Sequence, residues 1–77
     1  MKKLSNVSIE EFRAFLRLQR LVLSRSNGGH EMWTKAGMIR PIVFQTHINP
    51  LPEFVVKNNL AVIGVSKKEF LDTLESL

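Results

Sequence analysis

Arg25-Ser26-Asn27-Gly28-Gly29-His30-Glu31-Met32-Trp33 places an Asn-Gly-Gly turn between two short strand-like runs, with a histidine as the first residue after it. A tight hairpin loop needs positive φ, which Asn and Gly supply at little steric cost, so this pattern predicts a β-hairpin with an imidazole at its tip. The glycines leave the backbone bare beside His30, where a bulky ligand can approach both the ring and the neighbouring amides.

Working outward, Leu21 to Ser26 alternates with period two, Leu21, Leu23 and Arg25 on one side and Val22, Ser24 and Ser26 on the other, and is expected as the first strand. His30 to Thr34 is expected as the second, with Glu31 and Trp33 on one face and His30 and Met32 on the opposite one. If Trp33 is core, His30 faces away from the core. Lys35-Ala36-Gly37 forms a turn, and Ile39 to Gln45 forms a third strand in which Pro41 must sit at an edge or an unpaired position.

Upstream, Ser8-Ile9-Glu10-Glu11 has the capping-box pattern and opens a helix whose Ile9, Phe12, Phe15 and Leu16 make an apolar stripe. Arg13, Arg17 and Arg20 fall on another face, as a solvated ridge or a contact surface for phosphates or an acidic partner. Downstream, Thr46 to Pro52 is a proline-punctuated loop and a second helix runs from Pro52 to about Ile63, stopped by Gly64. Ser66-Lys67-Lys68-Glu69 repeats the capping box and opens a third helix carrying Phe70, Leu71, Leu74 and Leu77. The economical packing is an α+β domain, a three-stranded antiparallel meander with its helices on one face and the other face partly open.

The 77 residues suit one domain, spanning 1–77. There is no cysteine, which excludes a disulfide framework and thiolate chemistry and is compatible with the cytoplasm. No apolar run approaches the roughly 20 residues of a membrane span, and Met1 to Asn6 lacks the apolar core of a secretion signal. Eleven Lys+Arg against seven Asp+Glu give a net charge of +4, which favours a polyanionic or acidic partner. His30, His47 and Glu31 do not have the spacing of a metal site, and no Ser-His-Asp set, P-loop or dinucleotide fingerprint is present.

The helix-one pattern, the Arg-x-x-Gly-Gly-His-x-x-Trp run from Arg25 to Trp33, the strand Ile39 to Gln45 followed by His47, and a second helix ending in Ile63-Gly64-Val65-Ser66 together resemble the HicA toxins of bacterial toxin–antitoxin systems. The resemblance runs from about Ser8 to Phe70. It implies a fold similar to double-stranded-RNA-binding domains, α-β-β-β-α with a short extra C-terminal helix here, and a metal-independent RNA-cleaving activity with His30 as the catalytic residue. It implies no cofactor. The partners it implies are mRNA and a HicB-type antitoxin, with DNA reached only through the antitoxin.

RNA carries its own nucleophile, the 2′-hydroxyl, so cleavage needs a proton acceptor, a proton donor and positive charge near the phosphorus. His30 suits the proton transfer, and Arg25, Lys35 and Arg40 are candidates for the charge. Gly28 and Gly29 bare the backbone for the RNA, and His47 is a candidate phosphate contact. The alternative is a noncatalytic RNA-binding module of the same fold.

Overall fold

The computed structural model describes residues 2–77. A single 3-10 turn, Leu4–Asn6, leads into α1 (Ile9–Leu18), followed by β1 (Val22–Asn27), β2 (His30–Thr34), β3 (Ile42–Gln45), α2 (Glu53–Ile63) and α3 (Lys67–Glu75). The fold is α+β, with one antiparallel sheet in the order β1-β2-β3.

Helix α1 starts where its sequence demands. The Ser8 hydroxyl accepts from the Glu11 amide at 3.0 Å and the Glu11 carboxylate accepts from the Ser8 amide at 2.9 Å, so two otherwise orphaned donors are satisfied. Its stripe is buried and lies on the sheet, Phe12 meeting Phe44 edge-on at 5.3 Å. Phe70 of α3 closes the aromatic cluster against Phe15 at 4.6 Å. Helix α2 flanks β3, where the buried Asn59 amide donates to the Val43 carbonyl at 3.3 Å. That bond satisfies an acceptor on an edge strand.

Three expectations about the elements need correction. The third strand begins at Ile42 rather than Ile39, because Pro41 cannot donate to the ladder and the preceding loop swings out, leaving Ile39 fully exposed. The first strand does not alternate throughout: Leu23 pairs with Trp33 and Arg25 with Met32, so Ser24 is an extra residue, a β-bulge. Its hydroxyl donates to the Met32 carbonyl at 3.2 Å, and beyond it Arg25 lies on the face of Val22 rather than that of Leu23. At α3 only half of the capping box forms, Ser66 accepting from the Glu69 amide at 3.1 Å, and Leu77 lies beyond the helix end, exposed.

Among the described residues no helix is long and apolar enough to cross a membrane.

Candidate functional site

Strand β2 sorts its side chains by the period of two. Glu31 and Trp33 are buried under α1, whereas His30 is exposed on the opposite, uncovered face. The loop of the hairpin is Gly28-Gly29, both at positive φ (58° and 87°), as a two-residue turn between twisted strands requires.

Directly opposed residues share a face, so the register fixes the neighbours of His30. Asn27 and Gln45 flank it, one on each side, and the next row is Arg25, Met32 and Val43. A shallow cleft of about 200 Å³ is lined by Arg25, Asn27, His30, Glu31, Met32 and Val43. A second, of about 250 Å³, is lined by His30, Val43, Gln45, Ile48, Phe54 and Val55. His30 belongs to both.

His47 stands at the same end of the sheet. The Thr46 amide donates to the Gly29 carbonyl at 2.7 Å, and a Cβ placed on Gly29 would lie 3.4 Å from His47 Nδ1, so the loop after β3 is folded against the glycine turn. The structure therefore brings together His30, Gly28, Gly29, Arg25 and His47.

Lys35 and Arg40 do not join them. Lys35 follows the far end of β2, roughly 17 Å along the strand from His30 at about 3.3 Å per residue, and its ammonium donates to the Gln19 carbonyl just past α1 at 3.2 Å. Arg40 lies in the loop before β3, beside a separate cavity of about 440 Å³ lined with Lys35, Gly37, Ile39 and Val62. Any phosphate they bind is away from the imidazole.

The arginine ridge of α1 is also redirected. Arg13 donates through Nε and Nη2 to both carboxylate oxygens of Glu31, and Arg17 stacks over the Trp33 ring with its guanidinium carbon 5.6 Å from the centroid. The Trp33 indole N–H completes the network by donating to Glu31 at 3.0 Å. The Arg13 hydrogen bonds outweigh burial and hold the Glu31 carboxyl below its ordinary range, while the same pairing pushes Arg13 up. Two of the three arginines thus pack the helix on the sheet. Arg17 and Arg20 both remain exposed, Arg20 just past the helix at positive φ, 68°.

Gln45, Ile48 and Phe54 were not recognised as site residues from the sequence. The one signal was Phe54 itself, an aromatic off the Val56-Leu60-Ile63 stripe of its helix. Among the described residues no group of three or more His, Asp or Glu is placed to hold a metal ion. No protein-family model, curated protein or solved structure matches the chain.

Proposed function

We propose that the chain is an RNA-cleaving toxin of the HicA kind, with a fold of the double-stranded-RNA-binding type, that acts in the cytoplasm and is silenced by a HicB-type antitoxin. The observation that carries this reading is the placement of His30: an exposed imidazole at a bare glycine turn, on an uncovered sheet face, with Arg25 in the adjoining row.

In this reading a phosphodiester lies across the outer face at the hairpin tip. His30 accepts the 2′-hydroxyl proton as the 2′-oxygen bonds to phosphorus, the bond to the 5′-oxygen breaks, and that leaving oxygen takes up a proton from solvent water. Arg25 offsets charge on the phosphorane oxygens, and His47, beside Gly29, contacts a neighbouring phosphate. The bare turn lets the RNA backbone approach the Gly28 and Gly29 amides.

Replacement of His30 by Ala tests the proposal, because an exposed side chain with no packing role is removable without loss of fold. Cleavage of RNA should fall by about 100-fold or more with the circular dichroism unchanged, as for loss of a general base or acid. Undiminished cleavage by the folded variant would refute the assignment. RNA binding without any cleavage by the parent chain would instead identify the noncatalytic module.

A further inference from the structure

We propose that the cleft between β3 and the first turn of α2 is a base-binding subsite: an unpaired RNA base stacks on Phe54 and its edge is read by Gln45. The inference rests on the reading of His30 as the cleavage centre, and it assigns the recognition that such a centre needs.

Three observations carry it. Phe54 is 67 % exposed at the start of α2, and Ile48, 40 % exposed, lines the same cleft. Folding gains little from an aromatic ring left in water, whereas every base has a π-face that stacks on such a ring irrespective of sequence. Gln45 stands beside His30 in the ladder and presents both a donor and an acceptor, as needed to distinguish base edges.

The third observation is size and continuity. At about 250 Å³ the cleft falls below the range that holds drug-sized ligands, which suits one ring system rather than an inserted helix or loop. Its lining contains no carboxylate, so a phosphate can lie at its mouth without repulsion. His30 belongs to this lining and to that of the cleft containing Arg25, so a phosphodiester held at the imidazole leaves its flanking nucleotides at these two openings.

The test uses the whole chain carrying His30→Ala, and a short unpaired RNA with a single 2-aminopurine as the probe. Binding should quench the 2-aminopurine. Adding Phe54→Ala should abolish the quench and weaken binding about tenfold to hundredfold without changing the salt dependence, because no phosphate contact is lost. Phe54→Trp should restore both, and Gln45→Ala should alter the ranking of RNAs that differ only in the base at that position. Unchanged affinity and ranking in Phe54→Ala and Gln45→Ala would overturn the subsite, as would a loss confined to binding of a protein partner. His30-dependent cleavage with no effect of Phe54 would remove the subsite and leave the cleavage reading standing. A Phe54-dependent quench in a parent chain that cleaves no RNA would remove the cleavage reading and leave the subsite standing.

Discussion

Arg13 and Glu31, 18 residues apart, meet fork to fork beneath the sheet, the guanidinium donating to both carboxylate oxygens. Glu31 is the residue after His30 and points the other way, so the ion pair anchors from below the strand that displays the imidazole above.

Replacing Glu31 by Gln keeps an acceptor for the Trp33 indole and Arg13 Nε but removes the charge and the oxygen that accepts from Arg13 Nη2, leaving Glu10 as the charged partner of Arg13. The expected loss is about 2 kcal/mol, less than for a fully buried pair because Arg13 retains Glu10 and some water. A urea titration of both proteins measures it. The pH dependence has a definite sign: the folded-state value of Glu31 lies below its unfolded one, so its contribution is present above the ordinary value of 4.5 and is lost as pH falls through the folded value. The Glu31→Gln protein should lose less stability than the parent over that acidic window, and equal losses would show that the pair is not a stabilising one.

Gly28 and Gly29 should respond differently to substitution. At Gly29 a methyl group meets a φ of +87° and stands 3.4 Å from His47, so Gly29→Ala is expected to destabilise by about 1 to 2 kcal/mol and displace His47. Gly28 has φ +58° with open space around it, a conformation Asn tolerates, and Gly28→Asn should be nearly neutral. Thermal unfolding of the two variants makes the comparison.

The distance between Arg25 and Arg40 separates two kinds of basic contact. Arg25→Ala should lower the slope of log affinity against log salt by about 0.7 and also slow cleavage, since the lost charge lies beside the imidazole. Arg40→Ala should lower the slope with a smaller effect on the rate of the bound complex. Single-turnover cleavage across a salt series resolves the two, and equal rate effects would contradict the grouping.

If an acidic antitoxin silences the chain by covering the outer sheet face, amide exchange in the complex should be slowed between Arg25 and Trp33, where the glycine turn is exposed in the free chain. Slowing confined to Ser8–Gln19 and Lys67–Leu77 would mean that the partner grips the helices instead.

What the sequence made legible is what local patterns encode. The Gly-Gly turn, the Ser8 capping box and the alternation that sets His30 against Trp33 are each carried by residues within a few positions of one another. Arg13 reads as a solvated arginine because its partner lies two elements away, and Glu31, though it shares the face of Trp33, has nothing near it in sequence that announces a guanidinium. Ser24 was missed for a related reason: Leu23-Ser24-Arg25 alternates acceptably alone, and only the register against Met32 and Trp33 makes it supernumerary. The cleft at Phe54 was beyond local reading, being assembled from β3, the loop after it and α2.

Ser24 works as a phase shifter within one strand. Before it, Leu23 follows the phase of Trp33 and the core; after it, Arg25 and Asn27 follow the phase of His30. Were Ser24 instead held in the ladder as an ordinary strand residue, every position on one side of it would turn to the opposite surface, and Arg25 would leave the face of His30. The bulge absorbs one extra residue without changing faces, so within a six-residue strand Leu23 stays on the side of Trp33 while Arg25 and Asn27 stay beside the exposed imidazole.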